Sequence, residues 1–314
     1  MVFLRRRMVP SKASLDTPVV LLVFNRPKTT RFVFDAIAKM RPSRLLAVAD
    51  GPRHGIPGEA DLCGEVRAIV KQVDWPCEVR TNFATENLGC RERVISGLNW
   101  AFSLVEEAII LEDDCLPDPT FFPFCQLLLA RYRGDSRIAM ISGNNFVEQD
   151  VNGNSSYYFT RMAHIWGWAT WRSAWQRYDR HLEFWPEIKQ TDLLLEVFGS
   201  RRLAAYWTKV FDRMYENTGP NTWDYQWVYT TLVNNALSIA PRVNLVENIG
   251  FGAEGTHTTV MQPALSIARR SIEFPLKHPV AMMPSRSLDR RDQMLCLPES
   301  IPRRLSKKLR SLSR

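Results

Sequence analysis

The chain has 314 residues, 45% hydrophobic and 24% charged, with a formal net charge of +8. That is globular composition for one large domain or two small ones, and its longest strand-like apolar run, residues 19–24, excludes a membrane span, which needs about 20 apolar residues. Residues 1–12 carry +4 and residues 301–314 carry +6, which leaves −2 for the body; a nucleic-acid-binding core, whose folded part would itself be basic, is excluded.

Residues 18–24 read as a buried strand, broken by Asn25-Arg26-Pro27, and 28–40 as a helix. Residues 44–49 form a second strand that ends at the turn Asp50-Gly51-Pro52. A helix over 59–73, a strand over 77–81 and a loop through Asn87-Leu88-Gly89 follow. In 90–105 the residues Val94, Ile95, Leu98, Ala101, Phe102 and Val105 make one apolar stripe at helical spacing. Strand 107–112, helix 120–132 and strand 137–142 complete the alternation. Strands alternating with helices imply an α/β fold with a mainly parallel sheet covered on both faces, and polar residues at the strand ends should converge on one rim.

The texture changes at about 143. Turn residues dominate 142–156, and Tyr157-Tyr158-Phe159 is a short strand candidate. Trp166, Trp168, Trp171 and Trp175 then fall within ten residues. Helical segments are expected near 172–180, 192–198 and 201–216, and Trp223-Asp224-Tyr225-Gln226-Trp227 opens another. Strands are expected around Pro241, and the folded body should end soon after His257. There is no G-x-G-x-x-G after the first strand and no G-x-x-x-x-G-K-[ST], which argues against a dehydrogenase or a P-loop enzyme.

Ile109-Ile110-Leu111-Glu112-Asp113-Asp114 is the most informative stretch: a buried strand that ends in three carboxylates. Like charges repel, so the triplet calls either for a cation, with hard oxygens suiting Mg²⁺ or Mn²⁺, or for bulk solvent. The tryptophans around Gly167 and Ala169 are either core or flat faces for a sugar ring. Asp224, set among aromatics, is either a general base with a raised pKa or a helix cap. His257 is structural or a metal ligand. Leu305, Leu309 and Leu312 with surrounding basic residues make either an amphipathic helix for an anionic membrane or a disordered tail.

Taken in order, Asn25-Arg26-Pro27, Asp50-Gly51, Asn87-Leu88-Gly89-Cys90, Glu112-Asp113-Asp114-Cys115-Leu116-Pro117, Gly167-Trp168-Ala169-Thr170-Trp171, Trp223-Asp224-Tyr225-Gln226-Trp227 and Asn248-Ile249-Gly250-Phe251-Gly252 with Thr256-His257-Thr258 resemble a GT-A-fold glycosyltransferase. The likeness is to bacterial family-2-like nucleotide-diphospho-sugar transferases, and the Glu-Asp-Asp motif is similar to that of the eukaryotic mannoside β-1,2-N-acetylglucosaminyltransferases. The resemblance implies a GT-A domain over 15–260, with a nucleotide-sugar half (15–142) and an acceptor half (143–260). An extension over 261–300 and a basic tail over 301–314 would follow. It implies a nucleotide-sugar donor, UDP-linked, and a glycan or lipid-linked acceptor, with an inverting, Mn²⁺- or Mg²⁺-dependent reaction in cell-surface glycan synthesis. It also implies roles. Asp50 would contact the base, with Asn25, Arg26 and Arg91 near the nucleotide or its diphosphate. Asp113 would meet the ribose, and Trp168 would belong to the donor pocket. Asp114 would hold the metal, with Glu112 acting through a bound water and His257 completing the set. Asp224 would be the catalytic base, with Glu254 and Asp179 next in line.

Two further readings stay open. A sugar-nucleotide pyrophosphorylase would need a glycine-rich loop where Asn25-Arg26-Pro27 stands. A non-catalytic glycan-binding or membrane-associated relative is the other. The six cysteines lack C-x-x-C spacing, so neither structural zinc nor a disulfide framework is expected. No apolar stretch of signal length follows Arg5-Arg6-Arg7. The expected location is the cytoplasm, with the tail placing the protein peripherally at the inner face of the membrane.

Overall fold

Val19-Val20-Leu21-Leu22-Val23 offers no polar side chain to either face, so both faces of this strand must be covered; all five residues of β1 (Val19–Val23) are buried. The computed structural model describes residues 15–250 and 267–297. Glu254, His257 and the basic tail over 301–314 lie outside them. After β1 come α1 (Pro27–Met40), β2 (Arg44–Ala49), α2 (Glu59–Val70), β3 (Glu78–Phe83), α3 (Cys90–Leu104), β4 (Glu107–Glu112), β5 (Cys115–Pro117), α4 (Phe121–Tyr132) and β6 (Ile138–Ser142). The second half holds β7 (Tyr157–Thr160), β8 (Trp168–Trp171), α5 (Arg172–Trp175), α6 (Trp185–Ile188), α7 (Leu193–Phe198), α8 (Arg201–Tyr215), α9 (Asp224–Val233), β9 (Leu237–Pro241), β10 (Val246–Asn248) and α10 (Arg286–Cys296).

The result is an α/β chain around an eight-stranded sheet of order β3-β2-β1-β4-β8-β6-β9-β7. The sheet is mixed. β8 runs antiparallel to both β4 and β6, and β7 antiparallel to β9. β6 therefore does not sit beside β4 as the simple alternation implies. The tryptophan-rich segment is itself a strand wedged between them, with all four residues of β8 buried.

Alternation along β1 sorts the core. Val19, Leu21 and Val23 face the cluster built with Val33, Phe34 and Ile37 of α1 and Val66, Ile69 and Val70 of α2. Val20 and Leu22 face the other cluster, with Val94, Leu98 and Phe102 of α3 and with Trp168, Trp175, Trp223 and Trp227. A third cluster joins Leu203, Trp207, Phe211 and Met214, one stripe of α8, to Trp185, Phe198 and Tyr229.

The expectation that the folded body ends soon after His257 is corrected. In α10, Asp289, Asp292 and Gln293 are buried. Asp289 accepts from the Thr160 hydroxyl at 2.5 Å, and Gln293 accepts from Trp207 Nε1 at 2.7 Å. Prolines and charged residues mask this packing in the sequence, because the buried side of α10 is polar. Among the described residues no helix is long and apolar enough to cross a membrane, and Cys63, Cys77, Cys90, Cys115 and Cys125 are free thiols.

Candidate functional site

β2 and β4 lie on opposite sides of β1, both parallel to it. Loops leaving the carboxyl ends of β1 and β4 therefore diverge and open a crevice, the usual ligand position in open α/β sheets. Glu112 pairs in register with Leu22, and the loop after β1 begins two residues on. A cavity of about 670 Å³ opens here, lined by Arg26, Asp50, Glu112, Asp113, Asp114 and Asp224 and by aromatic side chains that include Phe146 and Trp166. Its size lies within the range of small-molecule sites.

The acid triplet turns sharply between β4 and β5. β5 pairs antiparallel with β10, which brings Asn248 opposite Cys115. Ile249 then donates its N–H to the Asp114 carbonyl at 2.8 Å. Gly250 packs so closely on the Asp114 carboxylate that no Cβ fits between them. Asp113 accepts from the Phe24 N–H at 3.3 Å. Arg26 bridges the pair, 2.8 Å from Asp114 Oδ2 and 3.4 Å from Asp113 Oδ1.

This is crowded charge. Burial pushes Glu112 well above the ordinary carboxylate range, with Asp114, Asp113 and then Asp224 adding to it against Arg26. Burial, then Asp114, raises Asp113 to about 7. Among the described residues the buried Glu112 Oε1 has no hydrogen-bond partner, a costly state that a ligand or a proton relieves. Burial and the same acids also push the Cys90 thiol upward, so it is an inert wall.

Asp224 opens α9, in the first turn where an acid is favoured, and accepts from the Thr222 hydroxyl. The N-cap position falls on Trp223 rather than on Asp224. Asp179 is not part of the cavity wall; it caps a turn, accepting from the His181 and Glu183 N–H groups at 3.0 and 2.7 Å.

The other expected contacts divide. Asp50 reaches the cavity, but Oδ1 accepts from the N–H groups of Gly51 and Leu88, both at 2.9 Å, and Oδ2 from Gly89 N–H at 3.0 Å and Asn87 Nδ2 at 3.1 Å. Four bonds fill a carboxylate, so Asp50 shapes the 86–89 loop rather than presenting an acceptor. Asn25 is turned to Glu59, at 2.9 Å, and is not part of the cavity wall. Arg91 is spent on Asn217, Pro220 and Thr222, where it fastens the loop ahead of α9. Trp168 is fully buried, stacked on Trp223 at 5.5 Å, and is core. Of Trp166 and Trp168, Trp166 is the ring that lines the cavity. Gly167, at φ +71°, turns the chain between the two tryptophans at a spot already filled by Val246 and Leu111.

Sequence reasoning missed Phe146, His164, Tyr225 and Gln293 in the wall. Of these, His164 carried a signal as one of five histidines, standing two residues before Trp166, and Tyr225 as the neighbour of Asp224 in the aromatic motif. Among the described residues no group of three metal-ligating side chains is assembled. The donor set is nonetheless of the right kind. Mg²⁺ and Mn²⁺ take hard oxygens, and Mg²⁺ is commonly held by one or two carboxylates plus substrate phosphates. The orphaned Glu112 oxygen and the crowded acids fit that demand, with Asp114 and Glu112 as the residues to hold it. No protein-family model matches this chain, and no curated protein matches it.

Proposed function

We propose that the protein is a GT-A-type glycosyltransferase that moves a sugar from a nucleotide-sugar donor, UDP-linked, to an acceptor hydroxyl with inversion and with a divalent cation. One observation carries the reading: Glu112, Asp113, Asp114 and Asp224 share the wall of a single cavity at the point where the sheet order reverses. A cation bound there would neutralise charge on the departing diphosphate. The chain's own residues do the rest. Arg26, which pairs with Asp113 and Asp114, would meet the diphosphate as a second positive charge. Asp224 takes the proton of the acceptor hydroxyl. That oxygen bonds to the anomeric carbon as the bond from this carbon to the diphosphate breaks, and the electron pair leaves with the nucleotide. A positioned base contributes about 10²–10⁴-fold.

A thermal-shift screen of nucleotide sugars with and without Mn²⁺ tests the reading. Stabilisation by UDP-sugars that requires Mn²⁺ is expected; no shift with any nucleotide would end it. The Arg26 pairing also favours a second reading, a non-catalytic glycan-binding relative, because Arg26 offsets part of the charge on Asp113 and Asp114 without a cation. Slow Mn²⁺-dependent hydrolysis of a UDP-sugar would exclude that relative. The cytoplasmic, membrane-peripheral placement belongs to the same proposal. Deleting residues 301–314 should weaken binding to anionic liposomes, and equal binding by the truncated chain would remove it.

A further inference from the structure

The cavity has a second wall, of aromatic side chains and a histidine. Phe146 stands edge-on to His164, ring centres 4.7 Å apart, and edge-on to Trp166 at 5.5 Å. The register that pairs Ile110 with Trp168 puts residue 166 at the same end of the β4–β8 pair as Glu112, so this wall adjoins the acids. His164 Nε2 lies 2.9 Å from Asp292 Oδ1, and the two side chains are 13% and 5% exposed. Asp292 comes from α10, whose buried polar face is fixed to β7 through Thr160 and to α8 through Trp207. A carboxylate accepting at Nε2 places the ring proton there, so the neutral imidazole presents its lone pair at Nδ1. Nδ1 makes no hydrogen bond to any described residue, and the ring lines the cavity.

Flat rings beside an oriented hydrogen-bond acceptor match a pyranose, whose C–H face packs on aromatics while its hydroxyls donate. We propose that Trp166, Phe146 and His164, with His164 held by Asp292 of α10, form the subsite for a pyranoside ring of the acceptor. Asp292 is a positioning residue, and the segment over 267–297 is part of the site. The inference rests on the glycosyltransferase reading for the identity of that ring as the acceptor.

The test is saturation-transfer NMR with a panel of methyl pyranosides, with UDP–Mn²⁺ affinity measured in parallel by calorimetry. In the wild type a methyl pyranoside should bind. His164→Gln should weaken it about ten-fold, the scale of one lost hydrogen bond left uncompensated, with UDP–Mn²⁺ affinity unchanged. Trp166→Ala should abolish saturation transfer. Asp292→Asn, nearly isosteric, should shift the His164 ring ¹⁵N resonances away from the Nε2-protonated tautomer and weaken pyranoside binding; it carries the test should Trp166→Ala lose its melting transition. Equal pyranoside affinity in wild type, His164→Gln and Asp292→Asn would overturn the subsite, as would failure of every pyranoside to bind the wild type with UDP and Mn²⁺ present. His164-dependent pyranoside binding without any UDP binding would leave the subsite standing and sink the glycosyltransferase reading instead.

Discussion

Replacing Asp113 by Asn should change how stability depends on pH. Burial and Asp114 raise this carboxyl from 3.8 to about 7. Between those values the folded protein keeps a proton that the unfolded chain has released, so stability falls as pH rises. One extra proton held by the folded state costs about 1.4 kcal/mol for every pH unit climbed, and the loss accumulated from pH 5 to pH 8 is on the order of 2–3 kcal/mol. The Asn variant cannot titrate, so its advantage over wild type should grow by that amount across the interval and then stop growing. Losing the 3.4 Å contact with Arg26 offsets the variant by a roughly constant amount and leaves the slope difference intact. Glu112 is raised for the same reasons and adds a slope of the same sign to both proteins. Urea unfolding at pH 5, 6, 7 and 8 without divalent ions measures the effect. In thermal melts it corresponds to roughly 5–10 °C at about 2–4 °C per kcal/mol. Parallel stability profiles for the two proteins would refute the assignment of a buried, repelled carboxyl at position 113.

Asp224→Asn should keep Mn²⁺-dependent UDP affinity and slow donor turnover by about 10²–10⁴-fold; near-normal turnover would move the base elsewhere. Trp168→Ala should cost about 3–5 kcal/mol of stability as a core deletion, and an unchanged melting temperature would contradict its place in the core. Asp50→Asn should cost about 1–3 kcal/mol by leaving N–H groups of the 86–89 loop poorly satisfied. Its sign in hydrogen exchange is faster exchange at Leu88 and Gly89, and unaltered protection there would remove the loop-shaping role.

Apolar runs and stripes are readable because each repeats one physical demand along the chain. The inner residues of β1 and β2 are apolar throughout, and the α3 stripe meets the sheet with the residues its spacing names. The acid triplet is readable because three carboxylates at a buried strand end repel one another and need a cation, a proton or open water. Where the strand starts is not readable. Trp166 and Trp168 look alike in sequence and share parity, and they part only because the chain turns at Gly167, φ +71°, and β8 begins just after it. Nor does the sequence separate polar residues that serve a ligand from those that serve the chain. Asn25, Asp50 and Arg91 have the right chemistry, but their hydrogen bonds close loops. α10 is hidden for the converse reason: its packed face is made of Asp289, Asp292 and Gln293, which in isolation read as solvated.

The most direct test of the acid-cluster site is calorimetric titration of UDP into the wild type and into Asp114→Ala, each with and without Mn²⁺. The site predicts saturable UDP binding to the wild type only when Mn²⁺ is present, lost in Asp114→Ala. UDP affinity that is the same with and without Mn²⁺, or that survives in Asp114→Ala, would contradict it.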